Sequence, residues 1–161
     1  MNIDSIIEIP LNCEIKYEYD FDKNMIRCDR FLRECVVYPA NYGYIPNTLG
    51  GDGDPLDILI ITNHKIDPNT IVECKVLGVL IMYDEKGIDE KIISVPSDNV
   101  DINNKSINEL NDISKNILNK IDFFFKNYKK NIKGQWSNVI QYENKEYAIQ
   151  LIKKYSLNHK L

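Results

Sequence analysis

The chain has 161 residues, 43% of them apolar and 27% charged, enough for one domain whose core needs no disulfide or metal staple. A formal net charge of −4 argues against a general nucleic-acid binder, which carries a basic excess. No apolar stretch reaches the length of a membrane span, and residues 1–5 lack the basic-then-apolar order of a signal peptide. Two histidines and four cysteines (Cys13, Cys28, Cys35, Cys74) without a C-x-x-C pair disfavour zinc. The thiols read as small buried apolar groups, and the chain is expected in the reducing cytoplasm.

Residues 6–9 and 15–21 are strand-like, and Asp22-Lys23-Asn24 forms a hairpin turn into a strand at 25–31. Residues 36–49, rich in Tyr, Asn and Pro, read as a loop. Strands at 56–62 and 71–83 flank the turn Asp67-Pro68-Asn69, and Gly78 marks a bulge or sharp bend in the second. A last strand at 91–95 ends at Pro96. The period then becomes helical. Ser106-x-x-Glu109 is a capping-box signature, followed by Leu110, Ile113, Ile117, Ile121, Phe124, Phe125 and Tyr128 on one stripe. Ala148, Leu151, Ile152 and Tyr155 give a second amphipathic helix. The pattern predicts one mainly β (α+β) domain over 1–161, a closed or nearly closed β-barrel with two C-terminal helices packed outside. Phe123 projects about a hundred degrees from the core stripe, so it is either a plain surface residue or a subunit contact.

Asp52, Asp54 and Asp57 crowd three carboxylates into six positions just before an apolar strand, and Asp84, Glu85 and Asp89 form a second acidic group. Like charges this close are unfavourable unless a cation or proton is shared, and oxygen-only ligands select hard ions such as Mg²⁺ or Mn²⁺. An isolated D-G-D reads as a solvated turn; the second group is what changes the reading. Glu8 and Glu18 add carboxylates from early strands, while Lys16, Arg30, Lys91 and Lys129 form a basic set. Cations mixed with metal-binding carboxylates suit a metal-coordinated anion, most simply a phosphate. Tyr38, Tyr42 and Tyr128 add neutral donors. Each has a duller alternative: barrel-packing aromatics for the tyrosines, a helix-end cation for Lys129, a strand flank for Glu8. There is no P-loop run, and Asp57 stands where an EF-hand needs glycine.

Taken together, these residues resemble the soluble family I inorganic pyrophosphatases. The likeness is carried by Ile7-Glu8-Ile9-Pro10, Lys16-Tyr17-Glu18, Asp29-Arg30, Tyr38-Pro39-x-Asn41-Tyr42-Gly43-Tyr44, Asp52-Gly53-Asp54-Pro55-x-Asp57, Asp84-Glu85-x-x-x-Asp89-x-Lys91 and Phe124-Phe125-x-x-Tyr128-Lys129. The resemblance implies an OB-type barrel that hydrolyses pyrophosphate to two phosphates with several Mg²⁺ ions, Mn²⁺ being an alternative. It implies that Asp52, Asp57 and Asp89 hold the first metal, with Asp57 also serving the second. Asp84, Asp89 and Glu18 would serve further metals, and Asp54 would be the general base. Lys16, Arg30, Tyr42, Lys91, Tyr128 and Lys129 would bind phosphate, with Glu8, Tyr38 and Glu85 supporting. The smaller prokaryotic-type subunits of the family are typically hexameric, so a homo-oligomer is expected. The sequence departs from the family in two places. Few residues precede Glu8, which bears on oligomer contacts; Gln135 stands where many relatives carry Lys, which bears on substrate affinity. The competing reading, a catalytically silent OB-type module for oligonucleotides, needs a broad basic groove with stacking aromatics, which the acidic balance opposes.

Overall fold

The computed structural model of the chain describes residues 1–33 and 35–157. The strands are β1 (Asn2–Ile9), β2 (Ile15–Asp20), β3 (Met25–Phe31), β4 (Asn41–Tyr44), β5 (Asp57–Ile60), β6 (Ile71–Asp84), β7 (Gly87–Pro96) and β8 (Ser137–Glu143). The helices are α1 (Lys115–Asn127) and α2 (Lys145–Tyr155). Six strands form a sheet in the order β1-β4-β5-β7-β6-β8, and a further pairing of β1 with β6 closes a hydrogen-bonded ring through five of them. This ring matches the closed or nearly closed strand arrangement expected from the sequence. β2 and β3 pair only with each other, as a separate antiparallel ribbon.

Alternation along the strands splits the core between two faces. In β5, Leu59 joins one apolar cluster while Ile58 and Ile60 join the other. The first cluster takes in Ile121, Phe124 and Phe125 of α1; the second takes in Ala148, Leu151 and Ile152 of α2. Each helix therefore buries its stripe on a different cluster. A fully buried Ile or Leu is worth about 1.5–3 kcal/mol relative to exposure, so these two stripes fix the helices to the sheet. Among the described residues, no helix is long and apolar enough to cross a membrane.

Several expectations need correction. The stretch 36–49 is not all loop, because Asn41–Tyr44 is β4, paired with both β1 and β5. β8, absent from the sequence reading, extends the sheet beyond β6. The first long helix does not start at the Ser106 signature. Two short 3₁₀ turns, Ile102–Ser106 and Leu110–Asp112, come first, and Ser114 caps α1 through its side-chain oxygen at Asn116 N. Ile113 is extended (φ −83°, ψ 133°), so helical spacing continued through residues that are not one helix. The cysteines are not uniformly buried: Cys74 is, whereas Cys28 and Cys35 are exposed and Cys13 is half-buried; all four are free thiols. The Asp22–Asn24 turn holds, with Asn24 at φ 51°, and the β6 register shifts at Val76/Gly78 as the bulge at Gly78 requires.

Candidate active site

One cleft of about 590 Å³ gathers side chains from the ribbon, from β1, β4, β5 and β7, from two loops, and from the end of α1. The ribbon delivers Lys16, Glu18 and Arg30, and β1 delivers Glu8. Asp52 and Asp54 come from the turn before β5, and Asp57 opens β5 itself. Asp84, Glu85 and Asp89 come from the β6–β7 hairpin, Lys91 from β7, Tyr42 from β4, and Tyr128 and Lys129 from the C-terminal end of α1. Of the predicted residues only Tyr38 is absent from the wall. It is buried behind it, its ring centroid 5.4 Å from Tyr42 and 4.5 Å from Phe124.

Local geometry explains the convergence. Gly53 adopts φ +89°, which favours glycine, and turns Asp52 and Asp54 toward the cleft. Asp52 Oδ1 accepts from Asp54 N at 3.0 Å, which stiffens that turn. In the ribbon the register shifts after the Lys16–Arg30 pair, leaving Asp29 as an extra residue. Because of the bulge, Asp29 and Arg30 both line the cleft although they are adjacent in sequence, and Cys28 does not. Asp29 has a role that sequence reasoning missed, since its carboxylate accepts from Lys16 Nζ at 2.7 Å. The only signal was its place beside Arg30.

Carboxylates outnumber cations on the cleft wall nine to six, and three of the cations, Lys16, Lys91 and Lys129, are each shared between two acids. Lys91, 3% exposed, donates to Asp57 at 2.8 Å, Asp89 at 3.0 Å and the Tyr42 oxygen at 2.8 Å. Tyr42 in turn donates to Asp57 at 2.5 Å. Burial pulls the Lys91 pKa down, but Asp57 and Asp89 overcome this and hold the ammonium well above its ordinary value. At an effective dielectric of about 20, one unit charge at ~3 Å is worth roughly 5 kcal/mol, so two partners outweigh the desolvation of one ammonium. Lys129 is placed similarly, donating to Asp84 at 2.8 Å and Glu85 at 3.3 Å. Burial acts to raise the Asp84 pKa, yet Lys129 and the Lys86 amide bring it below the usual carboxylate range. Asp54 moves the other way, raised by partial desolvation and then by Asp52. Glu8 is pushed by burial from its ordinary 4.5 to about 7.

The donor set is oxygen-only and net acidic, which suits hard divalent cations rather than zinc. Among the described residues, no three acids, histidines or cysteines form a ready-made metal cluster; Asp57–Asp89 and Asp84–Glu85 each enclose a lysine ammonium instead. Asp52, Asp57 and Asp89 share the cleft without meeting at one point. The Arg30 Nη1 atom is buried and has no hydrogen-bond partner, an unused donor on the cleft wall. An entering anion would complete it.

A larger cleft of about 1040 Å³ runs beside α1, with Phe123 and Ile117 on its wall. None of the sequence-predicted catalytic, phosphate-binding or metal residues reaches it. Charge and convergence, not volume, mark the site.

Comparison with known proteins agrees with this geometry. Residues 5–160 match the family model for inorganic pyrophosphatase. The chain belongs to the inorganic pyrophosphatase family. An inorganic pyrophosphatase of Rickettsia bellii is 44% identical over 153 residues, covering 94% of this chain and 87% of that protein. The Campylobacter jejuni inorganic pyrophosphatase is 40% identical over 158 residues, 98% and 92% of the two chains. The solved inorganic pyrophosphatase of Helicobacter pylori superposes with a TM-score of 0.93 at 40% identity, covering 96% of this chain and 91% of that one. The Thermus thermophilus inorganic pyrophosphatase superposes at 0.90 with 36% identity, over 94% and 87% of the two. The likeness to these pyrophosphatases spans the ring, the ribbon and both helices, so every element that reaches the cleft lies inside the shared fold.

Proposed function

We propose that this chain is an inorganic diphosphatase that hydrolyses pyrophosphate to two orthophosphates in the cleft of the ribbon, β5 and the β6–β7 hairpin. The observation that carries this reading is the meeting of Asp54, two lysine-bridged acid pairs and the buried, unpartnered Nη1 of Arg30 on one wall. Lys16, Arg30, Lys91 and Lys129 bind and orient the two phosphoryl groups, with the Tyr42 and Tyr128 hydroxyls as neutral donors. Asp54, on the cleft wall between Asp52 and Asp57 in sequence, takes the proton from the attacking water. Glu8, Tyr38 and Glu85 hold these groups in place. Glu85 does so by accepting from both Lys129 Nζ and Trp136 N, at 3.3 and 3.2 Å.

Asp52, Asp57, Asp84, Asp89 and Glu18 would hold Mg²⁺, which when bound neutralises the acidic excess, acidifies water and offsets charge on the leaving phosphate. The excess of acids over bases is the reason cations have to enter with, or before, a polyanionic substrate.

We assign the protein to the cytoplasm on its four free thiols. We also assign it to a homo-oligomer, a hexamer by analogy with the prokaryotic-type subunits it resembles, with Phe123 at a subunit contact. Phe123 is 62% exposed beside a cleft of mixed polar and apolar lining. The test of function is phosphate release from pyrophosphate with Mg²⁺, set against ATP and a phosphomonoester. Selective turnover of pyrophosphate is expected; equal turnover of the phosphomonoester, or none of pyrophosphate, would overturn the assignment.

A further inference from the structure

The ribbon carries three of the proposed site residues but belongs to no larger sheet. An isolated two-stranded hairpin is marginal in water, so something must seat it if Lys16, Glu18 and Arg30 are to face the cleft reproducibly. At its tip the rings of Tyr19 and Phe21 pack on Tyr44 of the sheet, with centroids 6.0 and 5.5 Å away. Such contacts are apolar and fix no register. At the same end of β2 there is a directional tie: Glu8 Oε1 accepts from the Tyr19 backbone N–H at 2.7 Å.

The position of Glu8 is unusual for a strand residue. β1 pairs with β4 through Ile7–Gly43 and then Ile9–Tyr42, so Glu8 is the extra residue of a bulge. Bulges re-aim side chains, and this one sends a carboxylate off the six-stranded sheet to an edge N–H of the neighbouring ribbon. Glu8 is 9% exposed, so water competes weakly for that bond. Tyr19 immediately follows Glu18, and Lys16 lies three positions back on the same strand. Across the ribbon Lys16 pairs with Arg30. A shift of β2 relative to Glu8 therefore moves all three site residues together.

We propose that Glu8 is a positioning residue whose carboxylate, aimed by the β1 bulge, docks the β2–β3 ribbon and thereby sets Lys16, Glu18 and Arg30 against the rest of the cleft. The kinetic consequence rests on the diphosphatase reading; the structural consequence does not.

The test is amide hydrogen exchange on the full chain without metal, comparing wild type with Glu8→Ala, Glu8→Gln and Glu8→Asp. In Glu8→Ala the Tyr19 amide and its ribbon neighbours exchange on the order of tenfold faster, the loss expected for one buried acceptor, while β6 and β7 keep their protection. Glu8→Gln retains an acceptor oxygen and keeps most of the ribbon's protection. Glu8→Asp, one methylene shorter, falls between and serves if the alanine variant does not fold. In kinetics, Glu8→Ala raises the KM for pyrophosphate by a larger factor than it lowers kcat, with Glu8→Gln closer to wild type. Three results would overturn the proposal: wild-type exchange in the ribbon of Glu8→Ala, uniformly faster exchange throughout the chain, or Glu8→Gln as damaged as Glu8→Ala. If the exchange results appear without any pyrophosphate turnover, the diphosphatase reading fails and the docking role stands.

Discussion

In Lys91 a nearly buried ammonium faces Asp57 and Asp89 at once, and removing it strands two carboxylates beside each other. Glu8 is a carboxyl held to about 7 by burial. Breaking a buried charge cluster from one side costs several kcal/mol, so Lys91→Met is expected to lower metal-free stability by about 3 kcal/mol. Divalent cations supply the missing positive charge, so saturating Mg²⁺ should restore part of the loss. Urea unfolding with chelator and with Mg²⁺ measures both. For Glu8 the sign follows from proton counting. Between its ordinary 4.5 and about 7 the folded protein binds the proton that the unfolded chain has released, so stability falls as pH rises through that window. That contribution is on the order of 3 kcal/mol, fully present below pH 4.5 and lost above about 7. Unfolding of metal-free Glu8→Gln across that range should show a shallower decline than wild type. The acidic site residues were legible because three acids in six positions, Asp52, Asp54 and Asp57, recur with a second acidic group at Asp84, Glu85 and Asp89. Asp29 was not: its bond to Lys16 exists only because a bulge sets it across the ribbon.

The strand β4 shows how close backbone approach shapes the cleft. A Cβ on Gly43 would stand 1.8 Å from the Ile6 carbonyl oxygen, a backbone atom that can move only with β1. Gly43→Ala should therefore force β1 and β4 apart, disturb Tyr42 next to it, and cost about 3 kcal/mol or more. A thermal melt lowered by less than a few degrees would contradict this. The same strand was illegible in the sequence: four residues containing a glycine, between Pro39 and Pro46, give no alternation long enough to read. β8 escaped for a different reason. It borders the sheet with its side chains mostly exposed or half-exposed, so it lacks the core-facing period that marks a strand. The α1 boundary was misplaced because Leu110 and Ile113 pack on the same apolar cluster from 3₁₀ and extended backbone, keeping a helical spacing without a helix. Where burial is long and continuous, as in β6, or confined to one helical stripe, as in Ile121–Phe125, the reading held.

The ring of five strands, the docked ribbon and two helices on separate clusters bring groups from residue 8 to residue 129 onto one wall. If subunits associate through the outer face of α1, a charge at Phe123 should separate them without unfolding them. Phe123→Glu is expected to give a smaller particle by light scattering at wild-type thermal stability; an unchanged mass would remove that contact. On the proposed function, the cleft sets a water and Asp54 against a phosphoanhydride held by Lys16, Arg30, Lys91 and Lys129. That role for Asp54 is tested most directly by steady-state phosphate release from pyrophosphate at saturating Mg²⁺, comparing wild type with Asp54→Asn. The account predicts a fall in kcat of about 10²–10⁴-fold with KM changed only a few-fold, as befits a group that moves a proton without binding the anion. A near-wild-type kcat for Asp54→Asn would contradict it.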